Sequence, residues 1–460
     1  MMRNFRAVIR KNILINLLSM INGVVFIALL SRLVGVDEFA EWNWIQSSIG
    51  LLLVTDFYLF ISLQNSITLA LVKNKKYRIS ILYHNFFLIQ SIVSIVLAII
   101  LGALYLITPS WFSFNGLRTE LMPIFVFAFL VSLLGVPFLV VSSGFCGFGD
   151  TDKLNKLFLV KAVFQNYSFL ILVWLGFSFD ASIGYFFVAG LAASFVIYFL
   201  CVRTYRIRFR RVTKRTLRMT ASHILKKGHP IQWGILRVLD AVRQNFSLVI
   251  GFFYLTTVVF SNYILISRIS SVAVLVAMSI FTPMIPRLLM LYSKNDLAGI
   301  RRIVQKMVVL ICAYGVISTT ILILFGEQIV SVWSGRNVVY NNIYVFIISA
   351  AGAAQLFQIL FWSVLAGLNR IRSLMYISLF STGIFCISLI AIIQHYHELS
   401  LPLASALGSI IFSLLAIRYL KGHLGESAVI INTNVMTSLA LEREISIHVT
   451  QDGIPEKKRK

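Results

Sequence analysis

The sequence predicts an all-α polytopic membrane protein with twelve transmembrane helices. They form two six-helix bundles related by a pseudo-two-fold axis, with both termini cytoplasmic. Three observations predict this fold class. Of the 460 residues, 58% are hydrophobic and only 13% charged, about half the charged share of an average soluble chain. Apolar runs long enough for a spanning helix, about 20 residues, recur along the chain. The cations lie in short clusters between those runs rather than across a surface.

The runs fall near 13–31, 43–63, 81–107, 121–143, 157–177, 183–202, 231–253, 258–287, 307–325, 343–365, 374–394 and 401–420. The first follows Arg3, Arg6, Arg10 and Lys11 as a signal peptide would. Its apolar stretch is too long for one, and no small-residue cleavage site precedes Arg32, so it is expected to remain as the first span.

The net charge of +24 would suit a nucleic-acid ligand, but the placement of the cations argues against nucleic acid. With the N-terminus inside, the outer loops hold only Arg32, Arg118 and Arg336. The 203–227 loop alone holds ten cations and no acid. The outer loops instead carry acids such as Asp37, Glu38, Glu120 and Glu327. That asymmetry is the positive-inside signature. No outer loop is long enough for a folded exterior module.

The basic loop sits at the middle of the chain and divides it into an N-terminal six-helix lobe (1–202), a basic cytoplasmic linker (203–230) and a C-terminal six-helix lobe (231–420). A polar tail follows (421–460), expected to be cytoplasmic and poorly ordered. One common shift along the chain brings Lys73-Asn74 onto Lys294-Asn295, Phe39 onto Phe260 and Trp42 onto Tyr263. A shift shorter by a single position brings Gly147 onto Gly367 and Leu154 onto Leu374. A shared offset across several loops indicates an internal duplication, an architecture that many transporters use, with the substrate path between the halves.

Ionisable groups inside spans are rare because each costs about 2.5–3.5 kcal/mol on insertion scales. The seventh span nevertheless carries Arg237, Asp240 and Arg243 on one helical face. Arg243 lies about 18 Å from the helix start, near mid-bilayer. Arg268 in the eighth span is about 15 Å from its outer end, and Asp56 in the second span lies comparably deep. One reading makes these interhelical salt bridges that fix register. The other makes them the wall of a hydrated cationic cavity suited to an anionic substrate. Arg237, Arg243 and Arg268 are then the substrate-binding candidates, and Asp56 and Asp240 are ion-coupling or salt-bridge candidates. Asn16, Asn22, Gln165, Asn166, Gln244, Asn245, Gln355 and Gln358 are available to line the cavity or to bond between helices. Lys161, near the inner end of the fifth span, is expected to snorkel.

Other motifs carry less. SGFCGFGD (143–150) is glycine-rich but lacks the strand-turn-helix setting of a phosphate loop, so its glycines are read as a turn. The four cysteines are scattered without metal-ligand spacing, and His395–Glu398 makes a poor metal site. No metal or cofactor and no enzyme chemistry is expected.

In SRLVGVDEFAEW (31–42), GHPIQWGILRVLDAVRQNFSLVIGFFY (228–254), NYILISRISS (262–271), TPMIPRL (282–288) and LFGEQIVSVWSGRNV (324–338), the chain resembles polysaccharide flippases of the O-antigen (Wzx) type. These belong to the multidrug/oligosaccharidyl-lipid/polysaccharide exporter superfamily. The likeness covers roughly 5–420. It departs at TDFYLF (55–60), where relatives often place a glycine after the aspartate. The resemblance implies flipping of an undecaprenyl-diphosphate-linked oligosaccharide from the cytoplasmic to the periplasmic leaflet of a bacterial inner membrane. It also implies possible coupling to H+ or Na+, and a polymerase and chain-length regulator of the same pathway as partners. The alternative is a drug or metabolite extruder of the same superfamily, for which a net negative cavity is expected.

Overall fold

The computed structural model describes residues 2–52, 57–72, 76–107, 121–207, 229–281, 288–289, 291–292, 294, 296–335, 342–368, 370–396 and 399–426. The chain divides into two compact units, Met1–Ser413 and Leu414–Lys460, and every residue discussed as a site lies in the first. The described elements are α1 (Met2–Leu33), α2 (Val36–Leu52), α3 (Phe57–Val72), α4 (Lys76–Ile107), α5 (Leu121–Ser142), α6 (Gly144–Gly147) and α7 (Thr151–Trp174). They continue as α8 (Phe179–Thr204), α9 (His229–Tyr254), α10 (Thr257–Phe281), α11 (Leu297–Ser334), α12 (Asn342–Gly367), α13 (Ile371–Tyr396) and α14 (Ser400–Glu426). No strand occurs among the described residues.

The described residues of every expected apolar run fall on a helix, and the end of the eighth, 282–287, lies outside the described residues. The second is divided between α2 and α3, and Asp56 lies outside the described residues. Among the described residues, nine helices are long and apolar enough to cross a membrane. Helix α9 is not among them, because Arg237, Asp240, Arg243 and neighbouring amides dilute its apolar character.

The helices run past the apolar windows because their ends are fixed by polar caps. Helix α11 spans 38 residues, about 57 Å at 1.5 Å per residue against a hydrocarbon core of about 30 Å. It starts where Asp296 Oδ1 accepts from Gly299 N at 2.8 Å. Ser178 caps α8 through Ala181 N. Asp37 and Glu38 occupy the first turn of α2, the end at which negative charge opposes the helix dipole. Helix α14 continues to Glu426, and the rest of the expected tail, 427–460, lies outside the described residues.

The duplication reappears in the helix boundaries. The starts at Val36 and Thr257, Lys76 and Leu297, Leu121 and Asn342, and Phe179 and Ser400 are all separated by the same interval. Thr151 and Ile371 fall a single position short of it. Residues matched by the sequence offset share burial: Phe39 and Phe260 are both fully enclosed, as are Leu154 and Leu374. Equivalent positions of the two halves thus fill equivalent places in the packing.

Water is not the solvent for this surface. Leu14, Leu18, Ile21 and Val25 form an exposed apolar stripe on α1, spaced at three and four residues as one helical face requires. The interior is aromatic: Trp42 stacks on Phe169 at 4.6 Å between ring centroids and meets Phe186 edge-on at 4.8 Å. Between the halves, α1 and α2 pack against α9, α10 and α11. At the end of the bundle away from the finish of α8 and the start of α9, Ser31 Oγ donates to the Ser334 carbonyl at 3.2 Å, and Arg32 donates to the Val332 carbonyl. Those acceptors are terminal carbonyls of α11, left without intrahelical donors. Gly335 turns the chain there with φ of +70°, and Arg32 lies against it so closely that a side chain would collide.

The glycine-rich 143–150 segment forms the single helical turn of α6 and the bend into α7, so its glycines serve a change of direction, as expected. Gly147 packs so closely on α3 that a Cβ would fall 2.8 Å from Ile67. Asp150 follows it and accepts from Tyr205 Oη and Lys153 Nζ, both at 2.7 Å. Partial burial pulls the Asp150 carboxyl upward, but these donors outweigh it and hold the group below its usual range. A depressed carboxyl stabilises the fold above its unfolded value and loses that contribution as pH falls through the folded one. The advantage that ionised Asp150 gives the wild type over Asp150→Asn is therefore expected to be constant near neutrality and to shrink progressively as pH falls below about 4, read as detergent melting curves across pH.

Candidate functional site: a cavity between the two halves

The cavity is built by α1, α2, α7 and α8 from the first half and α10 from the second. Its volume is about 580 Å³, within the range of ordinary ligand sites. Asn16 and Ser19 on α1, Asn43 and Gln46 on α2, Asn166 on α7 and Ser271 on α10 supply neutral polar groups. Trp42, Phe26 and Phe186 close one wall. Helix α1 can face both lipid and cavity because Asn16, Ser19 and Gly23 project from the side away from its apolar stripe.

Among the described residues, Arg268 is the one charged side chain lining the cavity. It is exposed although its helix is packed between others, so the exposure is to the cavity. Among the described residues its guanidinium has no hydrogen-bond or ion-pair partner. The described group that acts on it electrostatically is the phenol of Tyr263, itself buried. A guanidinium offers five donors in a fixed plane, and here they face the cavity.

Arg243 is placed differently. Its Nε donates to Thr382 Oγ1 at 2.9 Å and its Nη2 to Ser381 Oγ and, at 3.4 Å, to the Gly408 carbonyl. The guanidinium also lies 5.5 Å from the Phe412 ring centroid. It therefore joins α9, α13 and α14 within the second half and is not among the residues lining the cavity. Asp240 lies one turn away, and Arg237 and Arg243 are the charged groups that act on it. The seventh-span charges thus share one neighbourhood, while Arg268 lies in another.

The expected polar lining also divides. Asn16 and Asn166 reach the cavity. Gln355 donates to Ser405 Oγ, and Gln358 accepts from Ser409, both at 2.8 Å. Asn245 bonds the Ala241 carbonyl at 3.0 Å, and Gln165 bonds the Phe186 carbonyl at 3.0 Å. Asn22 is buried. Lys161 does not snorkel: its Nζ donates inward to Ser194 Oγ at 2.7 Å. Sequence reasoning missed Ser381 and Thr382 as partners of Arg243, and Ser19, Asn43, Gln46 and Ser271 as cavity groups. The hydroxyl cluster Ser378, Ser381, Thr382 inside an apolar run was the available signal for the former.

Among the described residues no three His, Cys, Asp or Glu side chains gather as a metal site would need. His397 and Glu398 lie outside the described residues, while α13 carries His395 and Tyr396 to its end.

The fold is that of known transporters. An inward-facing multidrug-resistance MATE family transporter of the MOP superfamily superposes with a TM-score of 0.69 at 12% identity, over 91% of this chain and 98% of that one. A structure described as outward-facing gives 0.57 at 14% identity over 91% and 95%. A Vibrio cholerae MATE transporter gives 0.63 at 15% identity over 90% and 95%. No family model and no curated protein matches the sequence. At these identities the likeness establishes the architecture, twelve membrane helices in two bundles, and leaves the chemistry to the residues themselves.

The two arginine environments predict opposite stability effects. Arg243→Met leaves buried hydroxyls without their donor and is expected to destabilise by about 1–3 kcal/mol. Arg268→Met removes a charge that has no partner among the described residues and is expected to leave the melting temperature unchanged or raised. Thermal unfolding of the two purified variants in one detergent checks both signs. The chain is an all-α, multi-pass membrane protein with the two-bundle fold of the MATE transporters and a cavity of single positive charge, among its described residues, between its halves.

Proposed function

We propose that this protein flips an undecaprenyl-diphosphate-linked oligosaccharide between leaflets of a bacterial inner membrane by alternating access. The observation that carries the reading is the Arg268 guanidinium, without a described partner, in a cavity otherwise lined by neutral polar and aromatic groups. Such a group suits a diphosphate, because its planar fork donates two parallel hydrogen bonds. The amides and hydroxyls of Asn16, Ser19, Asn43, Gln46 and Asn166 match sugar hydroxyls, while the polyprenyl chain stays in lipid.

With the basic loop taken as cytoplasmic, the bonds of Ser31 and Arg32 to α11 close the periplasmic end. The higher similarity to the inward-facing neighbour agrees with that state. Substrate would enter from the cytoplasmic leaflet, and breaking those bonds would open the other side. Arg268 holds the headgroup. Arg237 and Arg243, offset by Asp240, add positive potential from the second half. Asp240 and Asp56 are the acids available for H+ or Na+ coupling. A polymerase and a chain-length regulator would receive the product.

The competing reading is extrusion of drugs or metabolites, which the MATE neighbours favour by fold. Exporters of organic cations need a negative cavity, and the described lining here contains no carboxylate. In cells that depend on this protein, Arg268→Gln is expected to abolish surface polysaccharide with normal protein abundance. Arg268→Lys should keep only part of the activity, because the fork is lost. Normal glycan display in Arg268→Gln would sink the proposal, and raised drug sensitivity in its place would favour the extruder.

A further inference from the structure

Helix α7 holds a second cation that the proposed path does not yet use. Lys161 Nζ donates to Ser194 Oγ at 2.7 Å, and Ser194 Oγ in turn donates to the Gly190 carbonyl at 2.8 Å. Ser194 is 1% exposed, so the ammonium points into the α7–α8 seam. An ammonium has three protons to place, and the hydroxyl accepts one. Among the described residues no carboxylate acts on Lys161. An uncompensated charge inside a membrane bundle is costly and is normally paired or turned to a hydrated path.

The seam is closely packed and borders the cavity wall. One turn beyond Ser194, Gly190 packs against Gln165 so closely that a Cβ would collide with its amide. Gln165 in turn bonds the Phe186 carbonyl, and Phe186 and Asn166 both line the cavity. From Ser194 to Phe186 is about 12 Å along the helix, and from Lys161 to Asn166 about 7.5 Å. Lys161 lies on the side of Asn166 nearer the basic loop, the side from which substrate would enter.

We propose that Lys161 is a second anion-contact site, which takes a phosphate of the substrate headgroup before Arg268 does. The inference rests on the anionic-substrate reading above. The two cations differ in ways that fit a hand-over. Lysine is a point charge on a flexible stem, able to follow a moving phosphate, whereas arginine fixes its orientation. Lys161 belongs to the first half and Arg268 to the second, so rocking of the halves changes the distance between them. The first contact loads the diphosphate, and the second carries it through the motion.

Inorganic pyrophosphate is the probe, with the full chain purified in detergent. Wild type is expected to bind it, and Lys161→Gln to bind about tenfold or more weakly, as loss of a charge-assisted contact implies. Lys161→Arg should bind nearly as wild type does. Because Lys161→Gln could also loosen the seam, a second measurement uses wild type alone: pyrophosphate should protect Lys161 from an amine-reactive label, read by mass spectrometry. Wild-type affinity in Lys161→Gln, or labelling unaffected by pyrophosphate while Arg268→Gln loses binding, overturns the Lys161 site and spares the cavity reading. No pyrophosphate binding by wild type overturns both. In nanodiscs, undecaprenyl diphosphate should compete with pyrophosphate; failure to compete would assign the site to free anions and overturn the headgroup role.

Discussion

A bilayer core supplies no water to a buried charge, and that absence governs this molecule. Each ionisable side chain placed between the helices must find protein partners, neutralise itself or face a hydrated hollow. Arg243 takes the first course, held by Ser381, Thr382 and the Gly408 carbonyl. Arg268 takes the last, exposed within a cavity. Two arginines of the same chemistry therefore have different surroundings, one tying helices together and one facing the cavity.

The rest of the architecture maintains that hollow. Helix α1 keeps Leu14, Leu18, Ile21 and Val25 toward lipid, which frees Asn16 and Ser19 for the cavity. The stacked Trp42 and Phe169 with Phe186 form a rigid wall. Ser31 and Arg32 fasten the first half to the end of α11, using carbonyls that a helix end leaves unsatisfied. These bonds involve few groups and lie at one end of the seam. The cores themselves are fixed by close approaches such as Gly147 against Ile67.

The duplication gives the two halves matching frames with different polar contents. Helix starts recur at a nearly constant interval, and buried aromatic positions recur with them. The charges buried between helices do not follow the repeat. The first half places Lys161 between α7 and α8, whereas the second places Arg243 among α9, α13 and α14. A scaffold that preserves apolar packing can exchange its polar groups at little cost to the fold. That is why structures at 12–15% identity share this architecture, and why their printed activities do not pass directly to this chain.

The sequence alone determined the membrane class, the positions of the apolar helices and the internal repeat. These follow from local hydropathy, from Lys and Arg placement and from a fixed offset, all of which are properties of the linear chain. It also marked Arg237, Asp240, Arg243 and Arg268 as costly residues. Which of them meets a partner was decided by the tertiary structure, because that depends on the facing helix. Arg243 met hydroxyls on α13, far along the chain from its own helix, while Arg268 met open space. Helical periodicity gives the direction in which a side chain leaves its own axis, but what waits there is set by the packing of other helices.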